Sequence, residues 1–249
     1  KALRVTMSYK NKIAKCELNF NGQDYDVALD ADQTNPLTFD LPGEGTAESP
    51  YLIHNESEWN TATLKANIAG VVFRLESNLD FTNKTFYKMG SPTNTFKGTL
   101  DGNNKTITGV LLDGGAYSGI IGYTTSAATI KDLTLDGITM SHGGNYEGIL
   151  IGYNNTSNIT NVKIQNSNVA SSYNAGLVAG QNTATLRGNE ITVTNSNIAG
   201  SSYIGLVAGT NTGTISDFVI GGTITSTGER VGGIVGYNRG IIRNCTVSG

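Results

Sequence analysis

Charge is what this sequence has least of. Only 15% of its 249 residues are Asp, Glu, Lys or Arg, where an ordinary globular chain has roughly a quarter. Proline is scarce at 4 copies, and there are 2 His, 2 Cys and 1 Trp. A net charge of −3 supplies no basic footprint for nucleic acid or for an anionic lipid surface. The one basic cluster, Lys1, Arg4, Lys10, Lys12 and Lys15, reads as solvated strand positions. Two cysteines cannot build a disulfide framework and identify no redox compartment. No apolar run reaches the length of a membrane span. No signal peptide is visible either, and the opening at Lys1 fits a processed or trimmed start. Low charge combined with recurring apolar residues excludes a disordered chain.

What is present is Gly, in 32 copies, together with many Asn, Thr and Ser residues. Few helix formers and many turn formers indicate an all-β chain. The decisive feature is an internal repeat. Gly119-Ile-Ile-Gly122 recurs as Gly148-Ile-Leu-Ile-Gly152, Gly176-Leu-Val-Ala-Gly180, Gly205-Leu-Val-Ala-Gly209 and Gly233-Ile-Val-Gly236, so the opening glycines step by 29, 28, 29 and 28 residues. Two residues past each closing glycine stand Thr124, Asn154, Asn182, Asn211 and Asn238. An apolar alternation follows each time, as in Ile130-Leu133-Leu135 and Ile159-Val162-Ile164, and a short apolar piece closes each unit near Ile138, Val169, Ile198 and Ile224. The third copy carries an insertion at Arg187-Gly188-Asn189.

Helical repeats of this length need ten or more helix formers per element, and a propeller blade needs four strands and more residues. Three short strands per unit, stacked on like strands of the next, predict a right-handed parallel β-helix with three sheets and about five repeats of 27–30 residues. Inward Ile, Leu and Val then form continuous columns, and each strand pairs with the coils above and below. The column Asn154, Asn182, Asn211 and Asn238 is expected to be a structural ladder at a tight corner, because Asn tolerates left-handed backbone and its amide bonds to its neighbours.

Residues 1–42 lack the glycine period and form an N-terminal β segment or small cap domain, while 43–249 form the β-helix: 43–115 as capping helix and first irregular coils, 116–249 as the repeats. Cys16, Leu18 and Phe20 alternate onto one face of an antiparallel strand. Asn55 with Glu58 marks a helix start, and Trp59, Ala62 and Ala66 share one side, as a helix closing an open solenoid end requires. Cys245 falls in the core column of Leu133, Val162 and Phe218, so no Cys16–Cys245 bridge is expected. The chain stops at Gly249 after an ordinary unit, which predicts either further repeats or another cover at that end.

The glycine repeats resemble the GLUG motif of bacterial cell-surface proteins. The likeness extends to Gly45-Thr-Ala-Glu-Ser-Pro-Tyr-Leu-Ile, Leu75-Glu-Ser-Asn-Leu-Asp-Phe and Phe96-Lys-Gly-Thr-Leu-Asp-Gly-Asn, and so covers residues 43–249. The resemblance implies an exported extracellular protein attached to the outer membrane or secreted, often with a lipid anchor upstream, and with adhesion as its role. It implies no chemistry.

Three functions compete. An enzyme acting on polysaccharide, as a lyase or glycoside hydrolase, needs converging carboxylates about 5–9.5 Å apart. Asp132 and Asp217 share a column with Asn161 and Asn244 but lie three coils apart, and Asp113 and Asp136 precede glycines as turn residues. His54 and His142 fall in a helix lead-in and a loop. No catalytic residue, metal ligand or cofactor is therefore assigned. A binding module needs an exposed feature, and Tyr117, Tyr146, Tyr173 and Tyr203 supply one, each two or three residues before an opening glycine, with Val231 in their place in the last unit. Four in register make a strip of about 14 Å at strand spacing, suited to stacking on sugar rings, although a self-stacking ladder explains the same pattern. Tyr123, Tyr153 and Tyr237 flank the Asn column. A passive stalk needs only a featureless surface. The reading adopted is a non-catalytic surface module that adheres to a glycan or a host surface protein, with no nucleic-acid partner.

Overall fold

The computed structural model describes residues 4–10, 13–20 and 23–28 by their backbone, and 41–112, 115–141, 144–170 and 173–248 with side chains. Two compact units are present, Lys1–Asp40 and Leu41–Gly249. The first is a three-stranded antiparallel sheet of Arg4–Lys10, Ile13–Phe20 and Gln23–Ala28, with Cys16 opposite both Met7 and Val27. The inward face expected for Cys16 and the solvation of the basic cluster lie outside the described side chains.

The second unit is a parallel β-solenoid of about six turns, one more than the five glycine repeats. The stack begins in the irregular lead-in, before the first glycine repeat: Tyr51–Ile53, Val72–Leu75 and Thr99–Thr108 lie on one sheet beneath Thr129–Asp136, Asn158–Gln165 and Ile191–Thr194. A second sheet stacks Leu111–Leu112, Thr139–Met140, Asn168–Ala170, Asn197–Gly200 and Ile224–Ser226.

The expected count of three sheets needs correction. The glycine motif is a bend between two strands, so each regular coil contributes one strand to a third sheet (Asn145–Gly148, Tyr173–Gly176, Ser202–Gly205, Val231–Gly232) and one to a fourth (Ile121–Tyr123, Ile151–Asn154, Ala179–Asn182, Ala208–Asn211, Val235–Asn238). Glycine is required on both sides of this bend for lack of space. A Cβ on Gly176 would overlap Cα of Ala208 in the next coil, and one on Gly180 would overlap the backbone of Tyr146 and Glu147 in the coil before. Close approach of backbones is the reason for both glycines.

The wide sheet has its own irregularity. Asp132, Asn161, Asp217 and Asn244 adopt left-handed backbone, with φ of 53°, 49°, 61° and 53°. That kink inserts one residue into the alternation, so Ile130 and Leu133, three apart, are both buried. From the third copy on, the strand divides: Thr185–Arg187 is separated from Ile191–Thr194 by the turn that the Arg187-Gly188-Asn189 insertion makes, and Glu190 N–H donates to Arg187 O at 3.1 Å.

The core consists of the anticipated columns. Leu135 stacks on Ile164 and Val193, and Leu133 on Val162 and Ile191, all buried. Each such side chain contributes roughly 2 kcal/mol by leaving water. At the start of the unit the helix Glu56–Ala62 forms where Asn55 accepts the Glu58 N–H at 2.9 Å. Its Trp59 and Ala62, with Ala66 beyond, are fully buried, and Trp59 stacks on Phe86 and meets Phe81 edge-on.

Candidate functional site

Two corner columns flank the glycine bend, and they differ in kind. At the end of the fourth sheet, Asn154 Nδ2 donates to Asn182 Oδ1 at 2.8 Å, Asn182 to Asn211 at 2.8 Å and Asn211 to Asn238 at 2.7 Å. Each amide also bonds to its own chain two residues on. Asn182, for example, donates to Ala184 O at 3.0 Å and accepts the Ala184 N–H at 3.3 Å. Asn154, Asn182 and Asn211 are wholly buried, and Thr124 takes the same place in the first coil. None of the four asparagines has the left-handed backbone anticipated for them. They turn the corner by side-chain bonding to the residue two ahead, an Asx turn that needs no positive φ.

The left-handed residues stand instead at the start of the third sheet. Tyr117, Tyr146, Asn174, Tyr203 and Arg230 have φ of 59°, 65°, 51°, 61° and 61°. Pairing of Ala175 with Ile204, of Gly176 with Gly205 and of Gly205 with Gly232 sets this register. Tyr173 is thus one residue ahead of the tyrosine column, whose place in its coil Asn174 takes. Val231 is likewise one residue late, since the opening glycine of the last unit is Gly232 and Arg230 occupies the column. The spacing in the sequence held the signal: Tyr173 stands three residues before its glycine, whereas Tyr117, Tyr146 and Tyr203 stand two before theirs.

The bend folds the two strands back so that tyrosines from both sheets converge. In the first block Tyr117 stacks on Tyr146 (centroids 5.2 Å apart, 25° between planes) and Tyr123 on Tyr153 (4.4 Å, 3°). Cross-contacts of 5.7, 6.2 and 6.0 Å join Tyr117–Tyr123, Tyr117–Tyr153 and Tyr146–Tyr153. All four rings are half-buried. Burial, and then the neighbouring rings, hold the Tyr153 phenol above its ordinary pKa. In the second block Tyr173 lies 4.7 Å from Tyr203, which meets Tyr237 edge-on at 5.6 Å. Arg230 lies over both Tyr203 and Tyr237, at 4.6 and 5.0 Å, and Arg239 over Tyr237 at 5.2 Å. Between the blocks the columns turn polar: Asn174 donates to Asn145 Oδ1 at 2.6 Å and accepts from Thr210 Oγ1 at 2.7 Å, with Gln181 beside Thr210 in register.

The carboxylates sit elsewhere. Asp132 accepts from Asn161 at 2.8 Å and Asp217 from Asn244 at 3.1 Å, each across one coil step. The adjacent Ser216 hydroxyl, and then the bond from Asn244, hold the Asp217 carboxyl below its ordinary pKa. Both oxygens of Asp136 are engaged, by Gln165 at 3.0 Å and Asn166 at 2.8 Å. Glu147, next to Tyr146 in the chain, is fully buried and accepts the Gly144 N–H. His54 bonds to Glu58 at 3.0 Å; His142 and Asp113 lie outside the described residues. Among the described residues no three His, Cys, Asp or Glu side chains gather as a metal site would require.

The stacked coils and their corner columns define a parallel β-solenoid. The chain carries the GLUG motif, whose family model matches residues 227–249, and the four earlier glycine bends repeat the pattern of that unit. A solved structure from Bacteroides ovatus, provisionally named an immunoglobulin A1 protease, shares the fold with a TM-score of 0.51 at 18% identity, over 82% of this chain and 69% of that one. Halomucin from Haloquadratum walsbyi is 29% identical over 123 residues, which is 47% of this chain and 1% of halomucin. A protein of Evansella cellulosilytica, provisionally named a Gly-rich membrane protein, is 30% identical over 133 residues, 49% of this chain and 15% of its own length. This chain therefore spans a small part of either relative. Among the described residues no helix is long and apolar enough to cross a membrane.

Proposed function

We propose that the chain is a cell-surface interaction module that holds glycan chains on its tyrosine face. One observation carries this reading: Tyr117, Tyr146 and Tyr203 occupy left-handed backbone positions. Such a conformation costs a residue with a Cβ about 1–2 kcal/mol and is unusual for a bulky side chain. Asn174 fills the same column without that mismatch, so large rings are not needed to make the corner. Strained positions held by the surrounding fold cluster at ligand sites. Half-exposed tyrosines present an apolar ring and a hydroxyl together, which is what a pyranose face requires. Cell-surface placement draws support from the relatives, of which one is named a membrane protein and one a halomucin.

The test uses the substitution that the third coil suggests. The doubly substituted Tyr117→Asn, Tyr146→Asn protein keeps a left-handed-tolerant residue at both corners and should fold like the parent by circular dichroism. On a panel of neutral and acidic polysaccharides and mucins, the parent should be retained and the variant released. Equal retention of both would sink the reading, and new chain ends in the polysaccharide would replace a binding module with an enzyme.

A further inference from the structure

The two tyrosine blocks are not chemically alike. The first, made by Tyr117, Tyr123, Tyr146 and Tyr153, has no cation on any ring among the described residues. The nearby Lys88 directs its ammonium at the carbonyls of Ala116 and Tyr117, 2.9 Å from each. The second block carries two guanidinium groups. Arg230 is laid over Tyr203 and Tyr237, and Arg239 over Tyr237, where its Nε also donates to the phenol oxygen at 2.7 Å. Both arginines are exposed, and neither has a carboxylate partner among the described residues, although the exposed Glu229 is next to Arg230 in the chain.

A guanidinium lying over an aromatic face is held in orientation while its edge N–H groups remain free for a planar or tetrahedral oxyanion. Arg230 also stands in the left-handed column where three other coils have Tyr and one has Asn. That residue is therefore held at the same backbone cost as the rings, in the same place on the surface. The chain's net charge of −3 does not draw anions to it generally, so recognition of an anion must be local to these two side chains.

From these observations we infer that the Tyr173–Tyr203–Tyr237 block with Arg230 and Arg239 is a subsite for a negatively charged sugar, one bearing a carboxylate or a sulfate ester. The first block takes the uncharged rings of the same chain. This inference rests on the glycan reading above and narrows its substrate class to acidic polysaccharide. Sugar stacking supplies the contact area, and the bonds from arginine to the oxyanion supply the preference.

The experiment measures binding of oligogalacturonate against its full methyl ester, which keeps the rings and removes the charge, and of dextran sulfate against dextran, by titration calorimetry. The wild-type chain should prefer the charged member of one pair or both by on the order of tenfold or more, as bonds to charged groups imply. The preference should shrink as salt is raised. Which pair shows it distinguishes a carboxylate from a sulfate. In the doubly substituted Arg230→Asn, Arg239→Gln protein, the charged and uncharged members should bind alike. A wild-type protein that binds both members equally overturns the inference and leaves the glycan reading standing. So does a preference that survives the two substitutions. If neither member of either pair binds, the inference falls together with the glycan reading beneath it.

Discussion

The asparagine corner and the tyrosine corner lie on either side of the same glycine bend, and each offers one residue per coil to a column. Asn154, Asn182 and Asn211 turn inward and are buried, Asn238 in the last coil is exposed, and the four bond to one another and to their own chain. Their backbone is unstrained. The tyrosines turn outward, remain half-exposed, and rest on left-handed backbone. The first column explains how the stack is held in register, because an amide that both donates and accepts along the axis ties each coil to the next. The second is not needed for that purpose, since Asn174 interrupts it and the coil closes normally. A column in which the fold does without a ring at two of five levels, Asn174 and Arg230, is bulky and aromatic at the other three.

The most direct way to break the comparison is to damage the structural column. In Asn182→Ala the Asn154 amide loses its acceptor at 2.8 Å, Asn211 Oδ1 loses its donor, and the Asx turn at Ala184 is lost. Leaving buried polar groups unpaired costs about 1–3 kcal/mol each, so a loss of roughly 3 kcal/mol is expected in urea unfolding. A loss below about 1 kcal/mol, the net worth of one hydrogen bond, would mean that the ladder follows the fold without stabilising it.

A milder change would sharpen the comparison by extending the other column. Asn174→Tyr continues the ring row from Tyr146 to Tyr203 at the one level where it is interrupted. It gives up the bonds to Asn145 and from Thr210 and places a bulky residue at φ 51°, while it gains ring contacts worth about 0.5–1.5 kcal/mol each. The net loss expected is about 1–2 kcal/mol, smaller than for Asn182→Ala, accompanied by tighter retention on any glycan that the parent binds. If Asn174→Tyr costs as much as Asn182→Ala, the two columns are equally structural and the contrast between them fails.

The stacking columns were legible in the sequence because a solenoid repeats its own constraints. Ile, Leu and Val recur at inward positions, Asn recurs at the corner, and Gly recurs wherever backbones of successive coils touch. The helix start at Asn55 and Glu58 was legible for the same local reason. What could not be read there was geometry that residue type conceals. Leu177, Val178 and Ala179 form an apolar run that reads as one strand, yet a bend between Gly176 and Gly180 divides it in two. Tyrosine is not a residue that signals positive φ, so residue type carries no sign of the strain at Tyr117, Tyr146 and Tyr203. Alignment of the last unit on Gly233 places Val231 in the column, whereas the strand pairing puts Gly232 opposite Gly205 and so brings Arg230 there instead. The aromatic strip expected as four rings in register is two blocks of unequal charge with a polar gap.

The smallest effect concerns the chemistry of the tyrosine corner itself. Burial, followed by the adjacent Tyr123, Tyr146 and Tyr117, raises the Tyr153 pKa. A group whose folded pKa exceeds its unfolded value keeps its proton longer in the fold. Its stabilising contribution is thus complete below the ordinary tyrosine value of about 10 and is lost as pH rises through the higher folded value. Absorbance titration of the tyrosinate band should show one phenol ionising later than the exposed tyrosines, and Tyr153→Phe should remove that late step. Stability of the parent should fall with pH above about 10 more steeply than that of Tyr153→Phe. If the two proteins lose stability in parallel, Tyr153 is solvated in the same way as the exposed rings, and the first block is a looser cluster than its 4.4 Å stack with Tyr123 implies.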